Sequence, residues 1–247
     1  MSRPQGSELL QPKPKVIIFD SSVVLQIIAT GQFRILRSLR SDFGVQSAIV
    51  PAVESEVLAI VENVAKFRGR REQFKKALRN KTLAIIDRDL LAPFFGGAAE
   101  SWIRQIDSEG TRFYELVDRG EAFTHAASVV LNAPVASNDT TAFSRLVRQG
   151  EPIPRPVLRF WDLVVFSHQT AWLPANECDA IRQVLDRIGE RNHPCFTGHS
   201  FQDGLPHFYA RLACSDRQLL GSNEPQEKFD ERMVLTRITP ALPEPQR

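Results

Sequence analysis

The sequence predicts an α/β fold with three layers, α/β/α, around a central, mainly parallel sheet, followed by a C-terminal extension. The first strand is the unbroken apolar run "VIIF" at residues 16–19, which is typical of a strand buried on both faces. Runs of this kind alternate with helical patterns along the chain, as in βαβ units. The 247 residues are 43% hydrophobic and 24% charged, which is enough for one substantial core and a smaller appendage.

The first strand ends at Asp20, a charged residue that directly follows the predicted core segment. Ser21 and Ser22 are candidate caps for a helix that starts near residue 23. This helix is expected to break near Gly31, with a second helical piece after it.

Further strands are expected at 47–50, 83–87 and 134–139, and a fifth lies within 156–166. The predicted helices begin with one that carries Pro51 in its first turn. The others cover 98–132, with interruptions around Gly110 and Gly120, then 140–150 and 176–190.

The chain divides into three predicted parts. Residues 1–14 are polar and contain prolines, which favours a flexible N-terminal segment. The α/β domain covers 15–190, and 191–247 form the C-terminal extension with a disordered tail. The extension contains His193, Cys195, His199 and His207, but their spacing matches no standard zinc pattern, so no zinc site is expected.

The chain is expected to be cytoplasmic. Its three cysteines are scattered, which argues against a disulfide framework and for a reducing compartment. The first 15 residues have no apolar core of a signal peptide, and no apolar run is long enough to cross a bilayer.

Four acidic residues occupy equivalent places in the predicted fold. Asp20 and Asp139 follow the first and fourth strands, Glu56 lies in the first turns of the helix after the second strand, and Glu121 comes directly after Gly120. Strand ends and helix starts converge at one edge of a parallel sheet. Gathered carboxylates repel one another unless a cation neutralises them, and oxygen ligands suit Mg²⁺ or Mn²⁺ rather than zinc.

Three stretches that contain these acids resemble the PIN-domain family, a metal-dependent nuclease fold found in toxins of bacterial type II toxin–antitoxin systems and in RNA-processing enzymes. The stretches are "VIIFDSS", "VPAVESEV" and "RGEAFTHAASVVLNAPVASNDTTAF". The resemblance covers about residues 15–190. It implies that the catalytic residues are Asp20, Glu56, Glu121 and Asp139, with Asp20, Glu121 and Asp139 as the direct metal ligands.

The same resemblance assigns supporting residues. Ser137 matches a small hydroxyl residue that hydrogen-bonds a neighbouring acid or the substrate, and Asn138 is then a second-layer or turn residue. Glu54 is the alternative to Glu56, because a one-register error on the helix would exchange the two. His125 lies one helical turn after Glu121 and is expected to be a packing residue.

The resemblance implies a nuclease that uses Mg²⁺ or Mn²⁺ to hydrolyse RNA, leaving a 5′-phosphate and a 3′-hydroxyl. Two alternatives stay open: a catalytically idle PIN module that binds RNA or a protein partner, and a DNA nuclease in defence or repair. The expected partners are RNA and an antitoxin-like or other protein, and homodimerisation is left open.

A basic segment, defined as residues 62–81, contains eight basic residues and two acidic ones. Such a concentration of positive charge indicates a polyanion partner. Arg70, Arg71, Lys75 and Lys76 are therefore the predicted nucleic-acid-binding residues. The alternative is a solvated helix face.

Overall fold

The computed structural model describes residues 15–151, 157–190 and 192–209. Within these ranges the chain forms a five-stranded, all-parallel sheet in the order β3-β2-β1-β4-β5, so the predicted three-layer α/β/α fold is confirmed. The strands are β1 Val16–Phe19, β2 Gln46–Ile49, β3 Ala84–Ile85, β4 Val135–Ala136 and β5 Val157–Leu158. The flexible segment predicted at 1–14 and the predicted disordered tail of the extension lie outside the described residues.

Helices connect the strands and cover the sheet. They are α1 Ser21–Thr30, α2 Phe33–Phe43, α3 Pro51–Asn63, α4 Arg71–Arg79, α5 Arg88–Phe95, α6 Ala99–Phe113, α7 Arg119–Leu131, α8 Thr140–Arg148, α9 Phe160–Gln169 and α10 Ala175–Arg187. Among the described residues, no helix is both long enough and apolar enough to cross a membrane.

The core is centred on β1, which pairs with β2 on one side and β4 on the other. Ile17, Ile18 and Phe19 are fully buried, as expected for a central strand covered on both faces. From β1 the chain adds β2 and β3 on one side of the sheet, and it then adds β4 and β5 on the other side. The strand order therefore reverses between the neighbouring strands β1 and β4. In open α/β sheets, ligands bind at the carboxyl ends of the strands that flank such a reversal.

Glycines were only partly correct guides to helix ends. The predicted break at Gly31 is confirmed, because Gly31 adopts the left-handed conformation (φ 71°) that ends α1. The predicted break at Gly110 is wrong, since α6 runs through it. Gly110 instead allows α7 to pack closely, because a Cβ there would lie 2.7 Å from Cδ1 of Phe123. Gly120 likewise lies inside the first turn of α7.

Two boundaries differ from the sequence prediction for a local reason. Helix α5 was not predicted, and its N-cap is Asp87, whose carboxylate accepts a hydrogen bond of 2.9 Å from the Leu90 backbone N–H. The third strand therefore stops at Ile85, short of the predicted 83–87. The fourth strand also stops early, at Ala136, before the polar residues of the candidate site.

The described part of the extension packs on the α/β domain. A 3₁₀ turn at Pro194–Phe196 is followed by helical residues 201–209. Phe196 and Phe201 are fully buried and lie beside Trp161 of α9, with ring centroids 4.4 and 6.3 Å away. Residues 192–209 therefore share the hydrophobic core of the domain.

We expect Gly204→Ala to destabilise this docking. A Cβ at Gly204 would lie 2.5 Å from the backbone oxygen of Cys195 and 2.5 Å from Cδ1 of Phe196, so the helical segment has to shift away from the turn. Overpacking of this kind costs about 1–3 kcal/mol, which denaturant unfolding measures. Gly97→Ala is the matched control, because no atom lies within 4 Å of its added Cβ. Equal midpoints for the two variants would contradict the packing described here.

Candidate metal and nucleic-acid site

Asp20 is the most buried of the four predicted acids, with 3% of its surface exposed. It follows β1 and occupies the N-cap position of α1, yet its side chain makes no capping hydrogen bond. Instead, Oδ2 accepts hydrogen bonds from the hydroxyls of Ser22 (2.8 Å) and Ser137 (3.0 Å). Its other oxygen, Oδ1, is buried and has no hydrogen-bond partner among the described residues. A buried carboxylate oxygen without a donor is costly, so this atom is a candidate cation ligand.

Glu56 approaches Asp20 from α3. Its Oε1 accepts a hydrogen bond of 2.9 Å from the Ser21 hydroxyl. Its Oε2 lies against Gly120 of α7, where a Cβ would come within 2.4 Å. Gly120 is therefore needed for the close approach of Glu56 rather than for a helix break.

The two serines after Asp20 have a different role from the one predicted. Helix α1 begins at Ser21, two residues earlier than expected, and Asp20 holds the N-cap position. The hydroxyls of Ser21 and Ser22 donate to Glu56 and Asp20 and thereby fix the orientation of both carboxylates. The sequence signal was misread because serine is favoured at helix starts for capping as well.

Glu121 and Asp139 lie close enough for their carboxyl groups to hydrogen-bond. Burial, followed by the hydrogen bond and the negative charge of Asp139 and by the charge of Asp20, raises the pKa of Glu121 to about 8. Burial also acts to raise the pKa of Asp139, but backbone hydrogen bonds from Thr141 and Ala142 and the bond with Glu121 outweigh it and lower that pKa. Near neutral pH this pair therefore holds one proton on Glu121.

The other two acids experience the same crowding. Burial raises the pKa of Asp20, although the hydroxyls of Ser22 and Ser137 oppose the shift. Loss of solvation raises the pKa of Glu56, assisted by the negative charges of Asp20 and Asp118 and opposed by the Ser21 hydroxyl. The structure thus brings all four predicted acids into one acid cluster.

Asp118 is a fifth acid near the cluster that the sequence analysis missed. It is the N-cap residue of α7, and its backbone N–H donates to Oε2 of Glu121 at 3.3 Å. In a capping box, the side chain of the third helical residue accepts a hydrogen bond from the backbone N–H of the N-cap residue, as Glu121 does here. The sequence "DRGE", with an acid three residues after the N-cap, has the spacing of this motif. Asp139 has a similar local role, since its Oδ1 accepts from the backbone N–H groups of Thr141 (2.6 Å) and Ala142 (3.2 Å).

Ser137 and Asn138 connect the acids to the sheet edge. Besides donating to Asp20, Ser137 Oγ accepts a hydrogen bond of 3.1 Å from the Asp139 backbone N–H. Asn138 Nδ2 donates to Gln26 of α1 (3.0 Å), and its Oδ1 accepts from the Phe160 backbone N–H of α9 (3.1 Å). Asn138 therefore joins the ends of β1, β4 and β5, and it makes no contact that suggests a ligand role.

His125 is buried in α7, where its ring packs edge-on against Phe113 with centroids 4.6 Å apart. It also borders a small cavity of about 10 Å³ that Asp20, Glu121 and Ser137 share. A space of this size is close to the minimum that holds one water molecule. His125 is thus a packing residue, as expected, whose ring also closes the inner side of the acid cluster.

The donor set fits a hard divalent cation. The acid cluster offers carboxylate and hydroxyl oxygens, the ligands that Mg²⁺ and Mn²⁺ prefer, and Oδ1 of Asp20 is buried without a hydrogen-bond partner among the described residues. Within the described part of the chain, however, no three His, Cys, Asp or Glu side chains already have the spacing of a metal site. A cation would therefore require the acid side chains to rearrange, and its binding would compete with the proton on Glu121.

The predicted nucleic-acid-binding residues belong to α4: Arg70 is its N-cap, Arg71 is its first residue, and Lys75 and Lys76 lie in its middle. Arg71 forms an exposed pair with Glu62 of α3 (Nε–Oε1 2.5 Å), while Lys76 is exposed on α4. Glu62 and Glu56 are six residues apart on α3, about 9 Å along its axis. The basic segment therefore begins near the acid cluster. The ion pair between Arg71 and Glu62 leaves most of the positive charge of the segment available.

Comparisons of the chain with protein-family models, with curated proteins and with solved structures find no match.

The raised pKa of Glu121 predicts a pH dependence of stability. Without divalent cations, the folded protein keeps a proton on Glu121 up to about pH 8, whereas the unfolded chain loses it near its ordinary value of 4.5. Stability should therefore fall as the pH rises from about 5 to 8. Asp20 and Glu56, whose pKa values are also raised, act in the same direction. Asp139, whose pKa is lowered, is ionised in both states across this range.

Melting temperatures measured in EDTA from pH 5 to 8 test this expectation. Each kcal/mol of lost stability should lower the melting temperature by roughly 2–4 °C. Glu121→Gln, which is neutral at every pH, should flatten the profile, and Mg²⁺ should flatten that of the unmodified protein. Parallel profiles for the two proteins would show that Glu121 is not the titrating group.

Charge reversal tests the basic segment. Changing Arg70, Arg71, Lys75 and Lys76 to glutamate should weaken nucleic-acid binding and reduce the slope of log Kd against log salt, because fewer counterions are released. The measurement is fluorescence anisotropy with labelled RNA at several salt concentrations. An unchanged affinity and slope would leave this segment as a solvated helix face.

Proposed function

We propose that the protein is a divalent-metal-dependent nuclease of the PIN type that hydrolyses RNA phosphodiester bonds. The observation that supports this most is that four carboxylates, those of Asp20, Glu56, Glu121 and Asp139, lie together at the reversal of strand order between β1 and β4. The raised pKa values of Asp20, Glu56 and Glu121 and the unpartnered Oδ1 of Asp20 are features expected of a site that binds a positive charge. The choice of RNA rests on the resemblance of the sequence motifs.

Asp20, Glu121 and Asp139 would hold the cation directly, and Glu56 would contact it through water. When bound, Mg²⁺ or Mn²⁺ supplies charge neutralisation at the scissile phosphate and lowers the pKa of a water molecule. Water then attacks phosphorus in line, the bond to the 3′ oxygen breaks, and that oxygen takes a proton. The products are a 5′-phosphate and a 3′-hydroxyl.

The chain's own residues prepare this chemistry. Ser22 and Ser137 hold Oδ2 of Asp20, so its unpartnered Oδ1 is the oxygen left for a cation. Ser21 holds Glu56 in a position where it can orient a water molecule. A cation held by Glu121 would displace its proton, so metal affinity should rise with pH up to about 8.

A second candidate function has a specific observation in its favour. Glu121 and Asp139 both serve as helix-capping groups, and the described residues contain no ready-made group of three metal ligands. These features would suit an idle PIN module that binds RNA or a protein partner without cleavage. A DNA nuclease in defence or repair is the third reading. Metal-dependent cleavage of mixed RNA and DNA probes by the purified protein separates the three.

The setting of the activity is proposed on weaker grounds. Cys178 and Cys195 are buried free thiols, in keeping with a reducing compartment, so we propose a cytoplasmic location. An antitoxin-like protein partner and a homodimer stay predictions. A neighbouring gene for a small antitoxin-like protein would favour a toxin over a processing enzyme.

Substitution of single acids tests the nuclease proposal. Asp139→Asn keeps the shape of the side chain but removes a negative charge needed to hold the cation, so cleavage should fall by orders of magnitude, each factor of ten being about 1.4 kcal/mol of barrier. Glu56→Gln should also lower the cleavage rate strongly. RNA binding should persist in both, because the basic segment is untouched. Initial cleavage rates and anisotropy binding curves on the same labelled RNA provide the measurements.

Glu54→Gln is the matched control, because Glu54 lies two residues from Glu56 on α3 and makes no contact with the acid cluster. It should cleave nearly as well as the unmodified protein. Normal cleavage by both Asp139→Asn and Glu56→Gln would refute the proposed site. Loss of cleavage in Glu54→Gln alone would instead move the second acid to Glu54.

A further inference from the structure

An open pocket of about 480 Å³, called the basic pocket below, lies at the edge of the sheet opposite the acid cluster. Its walls come from α2 and from the turn that connects α4 to β3, and its lining residues are Arg37, Arg40, Ser41, Asn80 and Thr82. Its volume is within the range of about 300–1,000 Å³ that is common for small-ligand sites. Among the described residues, no Asp or Glu lines it.

The position of the basic pocket separates it from the acid cluster. Helix α2 leads into β2, and the turn after α4 leads into β3, so the pocket lies at the amino ends of these parallel strands. The acid cluster lies at the carboxyl ends of β1 and β4. The four residues of β2 alone span about 13 Å, so a small ligand in the basic pocket does not contact the acids.

Two arginines dominate the pocket. Arg37 and Arg40 are three residues apart on α2, so they lie on the same face of the helix, and both are exposed. Within the part of the chain that the structure describes, neither forms an ion pair with a carboxylate. Arg40 donates one hydrogen bond, from Nη1 to the backbone oxygen of Lys81 (3.0 Å). A guanidinium has five N–H donors, so most of the donors of this pair stay available to a ligand.

The uncharged lining residues add further donors. Neither the side-chain amide of Asn80 nor the hydroxyl of Thr82 has a hydrogen-bond partner in the described ranges. The hydroxyl of Ser41 is already used, because it donates to Oδ1 of Asp42 at 2.6 Å. Asp42 is adjacent in sequence but does not line the pocket. The pocket is therefore positively charged and rich in unoccupied donors.

The turn that carries Asn80 and Thr82 is fastened to the rest of the pocket. Lys81, between them, has a left-handed backbone (φ 52°), which is uncommon for a lysine. Its carbonyl oxygen accepts hydrogen bonds from Arg40 and from Nε2 of Gln46 (3.2 Å), which lie on α2 and β2. These bonds hold the two walls at a fixed separation, so ligand binding does not have to order the turn.

We infer that the basic pocket binds a phosphate group, with Arg37 and Arg40 as the charged donors and Asn80 and Thr82 as the neutral ones. The planar fork of an arginine matches the oxygens of a phosphate. The pocket exceeds one phosphate in size, so it also has room for the sugar or nucleoside to which the phosphate is attached. The inference is independent of the proposed nuclease function, because it uses none of the acids.

Two sources supply a phosphate of this kind. One is a free phosphorylated small molecule, for which the volume of the pocket is suited. The other is the backbone of a nucleic acid, because the basic segment ends at Lys81, beside the pocket. A reading without a ligand is that Arg40 only stabilises the end of α2 and the adjoining turn, since basic residues favour helix C-termini.

The first arm of the test is calorimetric titration of the full chain with AMP, and with adenosine as the phosphate-free comparison. The solution contains EDTA, so no divalent cation joins a phosphate to the acid cluster. AMP should bind, and adenosine should bind at least about tenfold more weakly. Arg37→Gln should weaken AMP binding by about tenfold, the effect of losing one hydrogen bond to a charged group.

Two further variants make the result specific. Thr82→Val keeps the shape of the side chain and the charge of the pocket but removes a donor, so it should weaken AMP binding by a smaller factor than Arg37→Gln. Arg104→Gln removes an exposed arginine of α6 that does not line the pocket, and it should bind AMP as the unmodified protein does. Circular dichroism and melting curves verify that each variant is folded.

The second arm distinguishes the two sources by fluorescence anisotropy with a labelled 10-nucleotide RNA, also in EDTA. If the phosphate belongs to a nucleic acid, Arg37→Gln should weaken RNA binding and reduce the slope of log Kd against log salt by about 0.7. If it belongs to a free small molecule, Arg37→Gln should weaken AMP binding alone.

Equal binding of AMP and adenosine by the unmodified protein would overturn the inference. Equal AMP affinities for Arg37→Gln and Arg104→Gln would overturn it as well. Neither arm measures cleavage, so loss of the nuclease proposal would leave this result unchanged, and failure of the basic pocket would leave the acid cluster unaffected.

Discussion

The site depends on one constraint, the burial of the Asp20 carboxylate at the end of the central strand. A buried charge is strongly unfavourable unless hydrogen bonds or an opposite charge compensate it. Ser22 and Ser137 compensate Oδ2, whereas Oδ1 is buried without a hydrogen-bond partner among the described residues. The crowding of Glu121 by Asp139 and Asp20 is relieved by a proton on Glu121, so protonation of the cluster and stability of the fold are linked, and a bound cation would join the same equilibrium.

Most of the fold and the four acids could be predicted because their signals are local. An apolar run followed by a carboxylate marks a strand end, and parallel strand ends share one edge, so Asp20 and Asp139 were identifiable without coordinates. Glycine was less reliable. Gly110 and Gly120 lie inside helices, where the missing side chains leave room for Phe123 and Glu56. Such contacts are tertiary, so helix propensity does not predict them.

Helix capping and metal ligation draw on the same residues here, and they are compatible. Glu121 uses Oε2 to accept from the Asp118 backbone, and Asp139 uses Oδ1 to accept from Thr141 and Ala142. An ionised carboxylate has two oxygens and about four lone-pair sites, so each acid can be fixed by one oxygen and offer the other. The caps thereby fix one oxygen of each carboxylate, although the side chains do not have the spacing of a metal site among the described residues. This use in capping also explains why the acids resemble ordinary capping residues when each is considered alone.

The extension contributes to the surface beside the site. Gly189, Glu190 and residues 192–194 line a groove next to Asp139, and the aromatic contact between Phe196 and Trp161 fixes this part of the chain on α9. In the proposed function, a cluster of acids that holds a cation would interact with a phosphate and not with the nucleotide around it. Any recognition beyond the phosphate would therefore depend on the surface around the acids, and the packing of the extension determines part of that surface.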